Sequence, residues 1–463
     1  MTPKVERIGV AGAGTMGAGI AQVASLAGFT TYLYDPDPSA LSAGEARLRA
    51  DLLKGADRGR WTISEAEAAS ARLRGTSALE RLEGCELVIE AAPESLDLKQ
   101  ELIAELEALC AASTVLATNT SSLSVSQIAA AADRPERVCG MHFFNPPALM
   151  RLVEIVAGDC TAPDALELVT EVAERMGRTP IRAADGIGFL ANRCARPFTL
   201  EALRLVGEHV ATPDQIDRLV RIGGGHRMGP FELMDLVGVD VNLRVAKSFY
   251  EQSGGEARWQ PHALQERLVV DGRLGRKSGR GWYSYEDGPH RPADPEVPEP
   301  SPSAQSDPRV EASVRWVAVP NLVGARAVEI APTASLGPLC VAGRHFKDLG
   351  KHVECVFGDS PGLVLGRIVS QLVNEACFAV GEGIGSPEDV DTALRLGFNH
   401  PRGPFQWGRE MGPGTVLATL DALRSELGED RYRAAPLLRD WAVAGGELPP
   451  VDVAVAGGSP PPA

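Results

Sequence analysis

Short apolar and β-branched runs alternate with longer stretches of helical period over residues 6 to 186. Arg7 to Ala11, Thr30 to Tyr34, Leu87 to Ala91, Thr114 to Ala117 and Val138 to Met141 read as strands, and Met16 to Leu26 as a helix. That rhythm predicts an α/β fold built on a parallel, doubly wound sheet. From residue 187 to about 270 the helical period continues without strand signals, so an all-α domain is expected next. The glycine-rich stretch Leu274 to Tyr285 closes it.

The pattern then repeats. Asp185-Gly186-Ile187-Gly188-Phe189 resembles Asp359-Ser360-Pro361-Gly362-Leu363 at an offset of 174 residues. The same offset pairs Glu201 with Glu375, Asp217 with Asp391 and Gly229-Pro230-Phe231 with Gly403-Pro404-Phe405. A constant offset signals a duplicated helical domain. The expected layout is therefore an α/β domain at 1–186, a helical domain at 187–286 and a linker at 287–308. A strand-containing remnant of a second α/β domain follows at 309–358, then the second helical copy at 359–444 and a disordered tail at 445–463. The linker carries seven prolines among acidic and small residues, a composition that cannot bury a core.

Size and composition narrow the function. The chain has 463 residues, enough for about three domains. Its formal charge of −15 argues against nucleic acid and anionic membrane surfaces as partners. No apolar run reaches the ~18 residues needed to span a bilayer. Met1-Thr2-Pro3 leads almost directly into a strand, so no secretory signal is expected. The eight cysteines are scattered without a CxxC pair, which predicts reduced, mostly buried thiols, no zinc site and a cytoplasmic protein.

Gly12-Ala13-Gly14-Thr15-Met16-Gly17 is a G-x-G-x-x-G turn between the first strand and the first helix. Gly12 permits the tight turn, Gly14 lets the backbone approach a pyrophosphate, and Gly17 lets the helix pack on the sheet. The helix N-terminus offers free N–H groups to the phosphates. Asp35 ends the next strand, where a carboxylate accepts from ribose hydroxyls and repels a 2′-phosphate. No Arg or Lys lies between Asp35 and Arg47, so the expected cofactor is NAD rather than NADP.

Oxidising a hydroxyl also needs a base, and histidine suits the working pH. Only His142 lies in the first 208 residues, at the end of a strand, where open α/β sheets bind ligands. Glu154 sits inside the next apolar run, Leu152 to Val156, and a carboxylate there is costly without a partner. If Asn145-Pro146-Pro147 folds this run back, Glu154 reaches His142, fixes its tautomer and stabilises the imidazolium. The alternative is a surface-facing glutamate. Asn119-Thr120-Ser121-Ser122 follows another strand end. Its hydroxyls could bind a substrate oxygen or cap the helix from Ser124 onward.

These stretches together resemble the L-3-hydroxyacyl-CoA dehydrogenase family. The resemblance also rests on Glu90-Ala91-Ala92-Pro93-Glu94, His142-Phe143-Phe144-Asn145-Pro146, Asp185 to Arg193 and Leu274 to Gly279, and covers residues 6 to 286 without a large gap. It implies a Rossmann-type NAD-binding domain followed by an all-α domain, here with a degenerate second copy. The longer layout is similar to bacterial members acting on 3-hydroxyadipyl-CoA and 3-hydroxybutyryl-CoA in aromatic and fatty acid breakdown. The implied reaction is oxidation of an (S)-3-hydroxyacyl-CoA thioester by NAD.

The resemblance implies residue roles too. His142 would be the base, Glu154 its partner, Ser121 a ligand of the substrate oxygen near the cofactor, and Asn192 a hydrogen-bond donor to the reacting group. Glu94, Lys99, Asn145 and Lys277 match cofactor-contacting positions, although Glu94 and Lys99 could form an ordinary surface pair. Where the family often offers CoA a Ser, this chain has Asp51; nearby Lys54, Arg58 and Arg60 either hold CoA phosphates or form a solvated helix face. At the repeat offset Asn192 falls on Gly366, and the remnant has no glycine fingerprint, so one active site is expected. The second copy would then be structural, making an intramolecular pseudo-dimer, with homo-oligomerisation through the helical domains the alternative. Dehydrogenation of a free hydroxy or sugar acid and a crystallin-like non-enzymatic role are the competing readings.

Overall fold

The computed structural model describes residues 4–450 apart from 287–288, 322, 333–336 and 359. It divides into two compact units, the described residues up to Leu190 with Gly383–Gly397, and Ala191–Glu382 with residues 398–450. Asp359, the first residue of the second repeat motif, and residues 451–463 of the expected tail lie outside the described residues. Among the described residues no helix is long and apolar enough to cross a membrane.

The first unit is built on an eight-stranded sheet. Its strands are β1 (Arg7–Ala11), β2 (Thr30–Tyr34), β3 (Leu73–Thr76), β4 (Leu87–Glu90), β5 (Val115–Thr118), β6 (Val138–Phe143), β7 (Leu152–Ala157) and β8 (Thr179–Ala184). The spatial order is β3-β2-β1-β4-β5-β6-β7-β8. Strands β1 to β6 are parallel, whereas β7 pairs antiparallel with β6 and β8 parallel with β7. The expected all-parallel sheet is therefore corrected at one edge. The connection from β6 to β7 is too short for a crossover, which needs about a dozen residues, so the chain turns straight back.

The helices α1 (Thr15–Leu26), α2 (Pro38–Asp57), α3 (Ile63–Arg72), α4 (Leu96–Leu109), α5 (Val125–Ala129) and α6 (Pro163–Arg175) accompany these strands. One buried cluster joins Ile8, Val10, Ile20, Leu48, Met141 and Val172; another joins Val88, Ile103, Leu106, Leu116 and Ile128. Ile8 and Val88 belong to different clusters, as expected when both faces of a sheet are covered.

The second unit holds the first helical copy, α7 (Ala191–Gly207), α8 (Pro213–Ile222), α9 (Pro230–Val237), α10 (Val239–Gln252) and α11 (Ala263–Val270). Described linker residues adopt no strand before α12 (Pro308–Glu311), but they are tied down: Arg221 pairs with Asp294, and His290 and Arg291 with Glu232. A three-stranded sheet follows, with β9 (Arg315–Val317), β10 (Ala327–Ala331), α13 (Gly337–Asp348) and β11 (His352–Cys355). In it β9 is antiparallel to β10 and β11 parallel to β10. That is the arrangement of β6, β7, α6 and β8, so this segment repeats the last portion of the sheet domain without its glycine loop.

The second helical copy is α14 (Leu365–Gly381), α15 (Pro387–Gly397), α16 (Pro404–Met411), α17 (Pro413–Leu427) and α18 (Pro436–Val443). Backbone detail repeats at the same offset: Phe189 and Leu363 both adopt positive φ, 50° and 46°, although neither is glycine. Helices α7 and α14 pack along each other. Arg193 donates to Glu375 at 2.8 Å, and its counterpart Arg367 donates to Glu201, so the copies exchange ion pairs. Two further contacts are reciprocal. Helix α8 lies on β10 and β11, and α15, its counterpart, lies on β7 and β8 in the first unit.

Candidate active site

The glycine turn begins where β1 ends. Gly12 has φ 116°, and a Cβ there would meet the Ala91 carbonyl oxygen at 2.5 Å, so only glycine fits. Gly14 is the N-cap of α1 and offers no side-chain cap, and nothing lies within 4 Å of where its Cβ would be. The first N–H groups of α1 thus face open space next to a positive helix end, which fits a pyrophosphate. Thr15 and Met16 form the first turn of α1, and Gly17 closes onto Gly12, where a Cβ would strike the Gly12 carbonyl oxygen. Asp35 Oδ2 accepts from the Ala13 N–H at 2.9 Å, which ties the end of β2 to the turn.

His142 and Glu154 are direct partners in the antiparallel pairing of β6 and β7. Nδ1 of His142 lies 2.7 Å from Glu154 Oε2. Glu154 is fully buried and His142 is 6% exposed, so the surface-facing alternative is excluded. Glu154 Oε1 also accepts from the Leu190 N–H at 3.1 Å. A carboxylate on Nδ1 places the proton there and leaves the Nε2 lone pair free to accept one. No partner for Nε2 is found among the described residues, and the rings of Phe144 and Phe189 stand 4.6 and 6.0 Å from the imidazole. Asn119 Oδ1 accepts from the Phe143 N–H at 2.8 Å and pins the end of β6 to that of β5.

A second carboxylate organises the loop after β5. Glu94 Oε1 accepts from Thr120 Oγ1 at 2.7 Å, Ser122 Oγ at 2.9 Å, and the Ser121 and Ser122 N–H groups at 3.0 and 3.1 Å. Burial pushes the Glu94 carboxyl up, but the Lys99 charge and these donors outweigh it and hold it below the usual carboxylate range. Ser121 is exposed, and its hydroxyl makes only a 3.4 Å contact with Glu94. Capping of α5 falls to Ser124, which accepts from the Gln127 N–H, and not to Ser121.

Lys99 lies beneath Glu94 and Glu90. It is 1% exposed, and its ammonium donates to Glu90 at 2.7 Å and the Ala92 carbonyl at 3.3 Å, with Glu94 3.4 Å away. It faces protein carboxylates from a buried position, so this is not an ordinary surface pairing. Glu90, which also accepts from Thr118 Oγ1 at 2.6 Å, was not singled out by sequence reasoning. The signal was available, since Glu90 is a carboxylate inside an apolar strand just as Glu154 is.

Lys54, Arg58, Arg60 and Arg47 line a cleft of about 190 Å³ together with Asp51, Trp61 and Asn145. Asn145 begins the turn after β6, through a cis bond to Pro146. Of the remaining candidates, Asn192 is half-buried in the first turn of α7, and Lys277 is ion-paired with Asp240 at 2.5 Å, both in the second unit.

The repeated strands carry a blank version of the same pair. In the β9–β10 pairing Glu329 stands opposite Val317, as Glu154 stands opposite His142. Glu329 accepts from the Val364 and Leu365 N–H groups at 2.6 and 2.9 Å, and a Cβ on Gly366 would meet Val317 at 3.1 Å. The glutamate persists without an imidazole, and valine fills the space.

The family description "3-hydroxyacyl-CoA dehydrogenase, NAD binding domain" matches residues 7–186, and its C-terminal-domain counterpart matches 188–285 and again 362–447. The chain is similar to 3-hydroxyadipyl-CoA dehydrogenase of Escherichia coli, with 38% identity over 96% of this chain and 98% of that one. A probable 3-hydroxybutyryl-CoA dehydrogenase of Bacillus subtilis is 41% identical over 61% of this chain and 99% of its own length. Among solved structures, 3-hydroxybutyryl-CoA dehydrogenase from E. coli K12 superposes with a TM-score of 0.89 at 35% identity, over 96% of this chain and 99% of that one.

Proposed function

The chain belongs to the 3-hydroxyacyl-CoA dehydrogenase family of NAD-binding oxidoreductases, and from that premise we propose that His142 is the base in oxidation of an (S)-3-hydroxyacyl-CoA to the 3-oxoacyl-CoA. The observation that carries this is the 2.7 Å contact between His142 Nδ1 and the fully buried Glu154. His142 Nε2 takes the proton of the 3-hydroxyl. Glu154 holds the ring and stabilises the imidazolium, itself steadied by the Leu190 N–H. Ser121 and Asn192 hold the substrate oxygen. Bound NAD would supply the acceptor for the hydride that leaves C3. Gly12 to Gly17 and the α1 N-terminus hold its pyrophosphate, Asp35 selects an unphosphorylated ribose, and Glu94 and Asn145 line its path with Lys99 behind Glu94. The exposed hydroxyl of Ser121 and the open space before Gly14 support these assignments.

Lys54 and Arg58, with Arg47 and Arg60, suit the CoA phosphates, because four cations border one cleft. The similar proteins carry the names of two acyl groups, hydroxybutyryl with a methyl end and hydroxyadipyl with a carboxylate end. The second helical copy serves the first as a built-in partner rather than as a second active site, because Val317 and Gly366 replace the base and the amide there.

His142→Gln is the direct test. Loss of general base catalysis predicts a fall in kcat of ~10²–10⁴-fold. The dissociation constant for NADH, read by fluorescence, should move less than about threefold, because the glycine turn is untouched. An active His142→Gln enzyme would remove the base assignment.

A further inference from the structure

Arg196 stands apart from the other buried arginines of α7 and α14. It is 6% exposed, and neither Nε nor Nη1 has a hydrogen-bond partner. Among the described residues no carboxylate pairs with it, and the Phe249 ring lies 5.4 Å from its Cζ. Burial pulls the guanidinium down to about 10, with no acid opposing it. A buried charge without a counter-charge is among the most expensive arrangements in a protein interior.

The duplication supplies an internal control. Arg193 and its counterpart Arg367 both have buried acid partners, Glu375 and Glu201. These pairs hold the two helices together, and both copies keep them. Arg196 falls on Ser370 at the repeat offset, as Asn192 falls on Gly366. The unpaired cation and the proposed substrate amide therefore occur together in the first copy and are absent together from the second.

Position matters as well. Arg196 follows Asn192 by four residues, so the two share one face of α7. Helical side chains lean toward the N-terminus, which brings the guanidinium back toward the turn of Asn192. Four residues of helix rise ~6 Å. Three carbon–carbon bonds, spanning ~4 Å, separate C3 of a six-carbon acyl chain from a terminal carboxyl carbon. A substrate held by its C3 oxygen at Asn192 thus presents a far-end carboxylate within reach of Arg196.

Resting on the reading of Asn192 above, we propose that Arg196 binds a carboxylate at the far end of the acyl chain, making ω-carboxy-3-hydroxyacyl-CoA the preferred substrate class. The anion supplies the missing partner in a charge-assisted, forked contact that a methyl end cannot make.

The test compares two six-carbon substrates, (S)-3-hydroxyadipyl-CoA and (S)-3-hydroxyhexanoyl-CoA, on the full-length enzyme. The wild type should favour the adipyl thioester at least tenfold in kcat/KM. In Arg196→Met that ratio should fall at least 30-fold, mostly through KM for the adipyl substrate, and Arg196→Lys should recover part of it. A wild type without preference overturns the proposal whatever the variants do, and so does an Arg196→Met ratio equal to that of the wild type. If instead the wild type oxidises neither thioester, the parent reading of the reaction fails rather than the role of Arg196.

Discussion

Glu154 and Glu329 occupy the same place in two copies of one strand pair, and only Glu154 faces an imidazole. Glu329 is therefore buried with backbone donors alone, and burial pushes its carboxyl up to about 8, against the pull of the Val364 and Leu365 N–H groups. An acid whose folded pKa lies above its unfolded value binds its proton more tightly when folded. Stability then falls as pH rises from about 4.5, the ordinary glutamate value, to about 8, and levels off above that. One such group contributes a slope of at most about 1.4 kcal/mol per pH unit. Glu329→Gln should flatten the decline of Tm between pH 6 and 8.5 relative to wild type. Parallel Tm curves for the two proteins would show that Glu329 does not titrate in that window. Glu329 has a task that needs no histidine, accepting the Val364 and Leu365 N–H groups at the start of α14.

At the scale of elements, the repeat was legible in the helices and hidden in the strands. Helices α7 and α14 follow the offset of 174 throughout, and Glu201 and Glu375 marked it in the sequence. Glu329 lies 175 residues beyond Glu154, and Val317 175 beyond His142, so one residue of slippage conceals the correspondence from a constant-offset reading. The hydrophobic pattern gave no help, because Val317, half-buried on a short strand, reads as an ordinary sheet position. His142, Glu154, Gly12 to Gly17 and Asp35 were legible because each is a residue type the local pattern does not otherwise need. Arg196 was not, since an arginine on an amphipathic helix reads as solvated until burial is known. The exchanged ion pairs carry their own prediction. Glu201 and Arg367 are both fully buried; burial pushes the glutamate up, but Arg367 and Arg204 hold it down at about 2. Arg367→Met should cost about 3–5 kcal/mol in urea unfolding, chiefly by weakening the compensation of Glu201. Adding Glu201→Met should return most of that loss; a double variant as unstable as the sum of the two single variants would assign the cost to packing instead.

For the whole molecule, the consequence of duplication is that each copy completes the other. Helix α7 buries its length against α14, α8 covers β10 and β11, and α15 covers β7 and β8. A chain ending at residue 286 keeps every residue proposed for catalysis, yet loses α14 and α15. It would bare the α7 face, where Arg193 would lose Glu375 and Glu382, and the outer strands next to Glu154. Shorter relatives span only 61% of this chain at 99% of their own length, so the missing surface must be supplied in another way or tolerated. A second truncated chain offers the same α7, with Glu201 standing in for its repeat counterpart Glu375 as the acceptor for Arg193 of the other molecule. The truncated protein should therefore self-associate through α7 into dimers, or aggregate, whereas the full chain has that surface filled from within. Light scattering on the two lengths at equal concentration decides it. A 1–286 fragment that remains monomeric with the Tm and kcat of the full chain would show that the second copy is dispensable, and the pseudo-dimer account would fall with it.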